Sequence, residues 1–234
     1  MSVALKRTCM RDRIREELVT RILDGRYPPG TQLKELPLAR EFNVSQAPIR
    51  EALRELEGTG LVTSERYRGT HVRGTDLTEM RESYELRAMI EARSVRRGLP
   101  FSAAVFQKLD RCLAIMTAAA GRDDPAGYID AALDLHRALI EAGGNSIFLR
   151  TWDALHWEVR GRIALQRLFE RGVSLGHLLG LHDELLARLK ACDVEAAAQL
   201  TEHIVTRVAE VFSAAPAHNA PGIAPAPAGP ASAP

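Results

Sequence analysis

Between Glu35 and Val72 the chain switches between helical periodicity, turn residues and short β-prone runs in an order that few folds can hold. Leu38, Ala39 and Phe42 mark the buried side of a short helix, and Asn43-Val44 makes a turn. Ser45 then stands where an N-cap belongs, its hydroxyl able to accept an orphan N–H of the next helix. Pro48 falls inside that helix's first turn, where a missing N–H costs nothing. Ile49, Ala52, Leu53 and Leu56 recur at helical spacing and predict a core-facing side. Gln46, Ala47, Arg50, Glu51 and Arg54 are left outside. Gly58 and Gly60 end the helix, and Leu61–Thr63 and Thr70–Val72 read as two strands around the polar, basic turn Glu65–Gly69. The pattern predicts a winged helix-turn-helix.

What precedes and follows fits that frame. Met10, Ile14, Leu18 and Ile22, with Val19 and Leu23, predict an amphipathic helix that Gly25 stops. Residues 26–33 form a Pro/Gly connector, and residues 1–9 are expected to be a loose arm. Residues 1–75 carry 14 basic and 10 acidic side chains, the remainder 17 and 20. A basic module on a mildly acidic body suits a nucleic-acid reader joined to something else. From Asp76 the signal becomes helical throughout, over 79–97, 103–119, 128–142, 147–169, 175–191 and 195–212, without strand patterns. We therefore expect a mainly α chain: a winged helix-turn-helix domain over 1–75 and an all-α bundle over 76–212. Residues 213–234 are Ala/Pro-rich, nearly uncharged and expected to be a disordered tail. Cys9, Cys112 and Cys192 are widely spaced and form no CxxC, which argues against a thiolate metal site or a disulfide framework. With no apolar run of spanning length and no signal-like N-terminus, the expectation is a cytoplasmic protein away from membranes.

A recognition helix meets base edges with its N-terminal end. Ser45, Gln46, Ala47 and Arg50 are the residues so placed. Gln can pair with adenine, Arg with guanine, and an Ala methyl can touch thymine. Arg50 and Arg54 are also candidates for phosphate contacts that position without specifying sequence.

Residues 22–33, then Leu38-Ala39-Arg40-Glu41-Phe42-Asn43-Val44-Ser45, then Pro48–Leu56 closely resemble the N-terminal domain of GntR-family bacterial transcription regulators, over residues 10–73. Tyr84-Glu85-Leu86-Arg87 with Ile90-Glu91-Ala92, His136–Leu139 followed by Gly144-Asn145, and the helices holding His182 and His203 resemble the FCD ligand-sensing domain of the FadR-like branch, over about 80–212. The resemblance implies that Arg68-Gly69 at the wing tip enters the minor groove. It also implies a homodimer, formed largely through the bundle, on a near-palindromic double-stranded operator. Gln46 stands where the family usually has Arg, which implies a different operator sequence.

Three bundle histidines share faces with apolar residues: His136 with Leu133, Leu139 and Ile140; His182 with Leu178, Leu185 and Leu189; His203 with Leu200 and Val211, although Arg207 interrupts that face. Neutral imidazoles converging from three helices suit Zn, Ni or Fe. The resemblance implies the same three ligands with a carboxylate one turn before the first, a position held here by Ala132. His156, in line with Trp152, Val159 and Ile163, is expected to be a core or pocket-wall residue. The resemblance further implies a small organic or sugar acid as effector, with Arg87, Arg160 and Arg162 as candidate partners of its carboxylate. Taken singly, an inward His is a core residue and an Arg a salt bridge. An enzyme, such as a metal-dependent hydrolase, would need a Ser elbow, an HExxH pair or a phosphate loop, and none is in the sequence. The remaining alternative is an effector-blind DNA-binding regulator whose bundle serves only dimerisation.

Overall fold

The computed structural model describes residues 10–212, so the expected arm and tail lie outside the described residues. The N-terminal head runs α1 (Met10–Leu23), β1 (Gln32–Leu33), α2 (Glu35–Glu41), α3 (Gln46–Gly58), β2 (Val62–Glu65) and β3 (Gly69–Val72). Ile14 and Leu18 of α1 meet Ile49, Ala52 and Leu56 of α3 in its buried core. The strands form an antiparallel sheet in the order β1-β3-β2, with Thr63 opposite His71. Strand β1 is a departure from the expected connector. Leu33 is buried in the head's core, which draws Gln32 and Leu33 alongside His71 and Thr70. The ladder is completed by the Val72 carbonyl accepting from the Gly30 amide at 2.8 Å and the Val72 amide donating to Thr31 at 2.9 Å.

The bundle comprises α4 (Leu77–Gly98), α5 (Ala103–Gly121), α6 (Pro125–Ala142), α7 (Ser146–Ala154), α8 (Trp157–Glu170), α9 (Leu175–Lys190) and α10 (Val194–Glu210). Its helix starts are written locally. Asp76, Ser102, Asp124, Asn145, Ser174 and Asp193 each accept an amide of the following first turn, and Pro125 opens α6. Helix α4 packs along α10, α5 along α6, and α6 on α8. One expectation fails: the single helix over 147–169 is two. His156 takes left-handed dihedrals, φ 49° and ψ 57°, between α7 and α8. Residues five apart on one helix point about 140° away from each other. Trp152 and Trp157 are nevertheless both buried, with ring centroids 5.3 Å apart. The break turns the second indole back to the first.

Helix α8 also joins the two halves. Val159, 2% exposed, belongs to the head's core, and Ile163 packs against it. Glu158 lies 3.5 Å from Arg15 of α1. Among the described residues no helix is long and apolar enough to cross a membrane.

Candidate functional site

Two sites emerge, one on the head and one inside the bundle. On the head, Ser45 caps α3 by position, at φ −71° and ψ 167°, but its hydroxyl makes no capping bond, contrary to expectation. It stays exposed beside Gln46 and Ala47. Arg50 and Arg54 continue the same exposed face, while Ile49, Ala52, Leu53 and Leu56 hold the opposite face in the core. Arg50 is not loose. Its Nε and Nη2 donate to both oxygens of Glu35 on α2, at 2.9, 3.1 and 2.7 Å. That pair holds the Glu35 carboxyl below its ordinary range. Nothing in the sequence marked Glu35 for this role, because fifteen residues separate the partners. At the wing, Gln32 Nε2 donates to the Arg68 carbonyl at 2.6 Å, and Gly69 adopts φ 85°. A Cβ there would sit 3.1 Å from that Gln32 nitrogen. Arg68 is exposed and pairs with Glu65 at 3.1 Å, and Tyr67 between the wing arginines is 91% exposed.

Inside the bundle, α4, α6, α8, α9 and α10 surround a cavity of about 50 Å³. Tyr84, Arg87, Tyr128, His136 and His182 supply its polar edge; Ala132, Leu133, Gly161, Leu165, Ile204 and Val205 are among its apolar walls. At Gly161 α8 comes close to α6: a Cβ there would stand 3.0 Å from the Ile129 side chain, which would have to give by a few tenths of an ångström. Arg87 donates to Glu91 Oε1 at 2.6 Å, with its guanidinium 4.8 Å over Trp152, 4.9 Å over Trp157 and 5.4 Å over Tyr84. Glu91 Oε2 sits 2.6 Å from His136 Nδ1. His136 Nε2 faces His182 Nε2 at 3.2 Å, and His182 Nδ1 lies 2.7 Å from the Leu178 carbonyl and 3.3 Å from the Tyr128 hydroxyl. All four charged or imidazole members are at most 5% exposed. Burial alone would raise Glu91; the charges of His136 and Arg87, with their hydrogen bonds, outweigh it and hold the carboxyl below its usual range. Burial, then the His136 charge, pushes His182 from 6.5 down to about 3.

The model described as "Bacterial regulatory proteins, gntR family" matches residues 10–72, and the FCD domain model matches 82–207, more than half of the chain. The chain belongs to the GntR family. A protein of Paenarthrobacter nicotinovorans bearing the name "Probable D-xylose utilization operon transcriptional repressor" is 28% identical over 222 residues, 95% of each chain. The gluconate operon transcriptional repressor of Bacillus licheniformis is 29% identical over 185 residues, 77% of this chain and 76% of that one. A solved structure of a Rhodococcus sp. RHA1 protein assigned as a GntR transcriptional regulator shares the fold, with TM-score 0.69 at 24% identity, covering 88% of this chain and 98% of that one.

In this GntR-family chain the expected sensor residues do not all meet. His136 and His182 come together. His203 does not: it is exposed on α10, whose inward face carries Ala197, Thr201, Ile204 and Val205. The cavity receives Ile204 where the sequence suggested an imidazole one residue earlier, and exposed Arg207, one turn on, was the signal. Ala132 lines the cavity with a methyl in place of the family carboxylate. Two nitrogens are all that converge, and among the described residues no group of three or more His, Cys, Asp or Glu side chains stands ready for a metal ion. A Zn, Ni or Fe site of three imidazoles does not fit these residues. Of the arginines, only Arg87 lines this cavity. Arg160 is spent on Glu79 at 2.7 Å and the Leu155 carbonyl at 2.8 Å. Arg162 looks away, 3.8 Å from Asp130 in the cleft beside α1. His156 is the helix break and is part exposed, so it walls no pocket there. Sequence reasoning missed Glu91. Its signal was an Arg/Glu pair four apart on the same helical face as Tyr84 and Val95, an arrangement that places an ion pair inside a core.

Proposed function

We propose that the chain is a transcriptional repressor that holds a near-palindromic operator as a homodimer, and that a small acid bound in the bundle changes that hold. The reading rests on a single observation: the exposed face of α3 opens with Ser45, Gln46 and Ala47 and continues through Arg50 and Arg54, backed by a closed core. Clamping by Glu35 presets the Arg50 fork, which lowers the ordering cost of a contact with DNA. Arg68 and Gly69 at the wing tip supply the minor-groove contact. The repressors of D-xylose and gluconate operons named above support the direction of control. Effector response is supported by the shared use of α8, which lines the bundle cavity through Gly161, Ala164 and Leu165 and enters the head's core through Val159. A ligand that shifts α8 acts on both, so the two states differ in contacts the ligand can favour.

The test is selection of bound sites from a random DNA pool, followed by anisotropy titration of the best site. A two-fold-symmetric site is expected, and Gln46→Ala should weaken it by ~1–3 kcal/mol while leaving binding to unrelated DNA unchanged. Recovery of no enriched sequence sinks the proposal.

A further inference from the structure

Tyr67 stands at the tip of the wing and is 91% exposed, more than any other large hydrophobic side chain of the described residues. It belongs to neither apolar core. Its backbone is left-handed, with φ 69°. The Arg68 amide donates to the Glu65 carbonyl at 3.1 Å, which closes a turn with Tyr67 in its third place. A turn residue with positive φ is ordinarily Gly or Asn, because a bulky side chain is strained there. An exposed ring held in a strained turn adds nothing to folding. Strain of this kind persists where the surroundings fix it, and it gathers where binding uses it. The surroundings do fix it. Gln32 of β1 donates to the Arg68 carbonyl at 2.6 Å, the Ser64 amide donates to Glu57 of α3 at 2.9 Å, and the Ser64 and Thr70 hydroxyls meet across β2 and β3 at 3.0 Å. The tip is therefore tied to α3 before any DNA arrives.

One face of the ring is covered by Arg66, whose guanidinium carbon lies 5.0 Å from the ring centre. With half a carbon contact added on each side, the pair spans roughly 8–9 Å. A B-DNA minor groove is about 6 Å wide, and an A-tract groove is narrower and stiff. The pair does not fit between unaltered groove walls. An aromatic ring enters such a groove by parting the base step beneath it, while flanking cations such as Arg66 and Arg68 meet phosphates on either side. We infer that Tyr67 is a specificity-determining residue that reads the deformability of DNA: its ring wedges into the minor groove and favours a pyrimidine–purine step, TA or CA, under each wing. The inference rests on the DNA-binding reading above and adds a position chosen without a hydrogen bond to a base. Pyrimidine–purine steps open most easily, and an A-tract resists. An arginine acting alone at the wing would prefer the opposite, since a narrow A-tract groove concentrates negative potential.

Operators would be compared that share the selected half-sites and differ only under the wing, located by hydroxyl-radical cleavage: a TA or CA step against an unbroken A-tract. The full chain is expected to prefer the flexible step by at least about tenfold, the effect of one unfavourable base-pair position. The fluorescence of 2-aminopurine at that step should rise on binding, reporting the unstacking. Tyr67→Phe keeps both effects, because the ring is the wedge and not the hydroxyl. Tyr67→Asn removes the ring with a residue that tolerates the left-handed turn. It should lose the preference and the fluorescence rise at an unchanged melting temperature. Indifference to the flank, a preference for the A-tract, loss of the effect in Tyr67→Phe or its survival in Tyr67→Asn each overturns the inference. If half-sites are selected and flanks are not, the DNA-binding reading stands and the wedge alone falls. If no sequence is selected, that reading fails first and the inference with it.

Discussion

At the scale of single residues, the bundle is built around a polar group that most cores avoid. His182 is the part of it that hydrogen ions can interrogate. The unfolded chain protonates this residue near 6.5, the folded chain only at about 3. Between those values the unfolded state binds the extra proton, so stability is complete above 6.5 and is lost as pH falls. Glu91 acts with the same sign lower down, because its carboxyl is held below the ordinary range and its contribution goes as it protonates. From pH 6.5 to 5 the loss through His182 is about 2 kcal/mol, from 1.36 kcal/mol per unit. Urea denaturation across that range should find the decline, and His182→Asn should flatten it. The residues of this site were half legible in the sequence. His136 and His182 stood out because each shares a face with apolar neighbours. His203 misled because its neighbours Leu200 and Val211 are apolar while the buried face runs through Ile204 and Val205, one residue aside. Glu91 stayed hidden because a charge is ordinarily read as solvated until its partner, here Arg87, is placed on the same side.

At the scale of elements, helix periodicity and capping residues located the helices well, and the misses were at joints. Strand β1 was missed because two residues carry no period of their own; only the ladder with β3 defines it. The break at His156 was missed because no Gly or Pro announces it. A left-handed residue with a side chain costs ~1–2 kcal/mol, and His is a type that tolerates it better than β-branched residues do. His156→Gly is therefore expected to change stability by no more than ~0.5 kcal/mol, its backbone relief offset by entropy lost on folding. His156→Val should cost ~1–2 kcal/mol, because a β-branched side chain cannot take that conformation cheaply. Chemical denaturation of the two variants measures both. Equal losses would mean that the imidazole, 3.6 Å from Glu158, matters more than the backbone.

At the scale of the whole molecule, α4 exposes apolar side chains on a polar face. Met89 is 68% and Leu86 38% exposed on α4, beside Glu82, Glu85 and Arg93. On the proposed reading of a near-palindromic operator, a second copy of the chain is the partner required, and an isologous contact would bury these side chains once on each subunit. Met89→Lys should shift sedimentation equilibrium toward monomer and weaken the full operator more than a half-site. An unchanged dimer would place the contact elsewhere on the bundle. The division into head and bundle was plain in the sequence, since the helix-turn-helix pattern ends where the long helical periods begin. The way the two halves meet was not. Val159 and Ile163 read simply as part of a helical stripe, and a stripe does not say which neighbour it faces.

That meeting has a genetic meaning. One short helix, α8, carries residues that touch the cavity and residues that touch the head, interleaved along fourteen positions. On the proposed effector reading, lesions in this one segment would fall into two phenotypes: Gly161 or Leu165 changes would leave the protein deaf to its effector, while Val159 changes would uncouple hearing from speaking. Neighbouring codons would then separate perception from response, and on that reading effector specificity could drift without disturbing the DNA sequence the chain answers to.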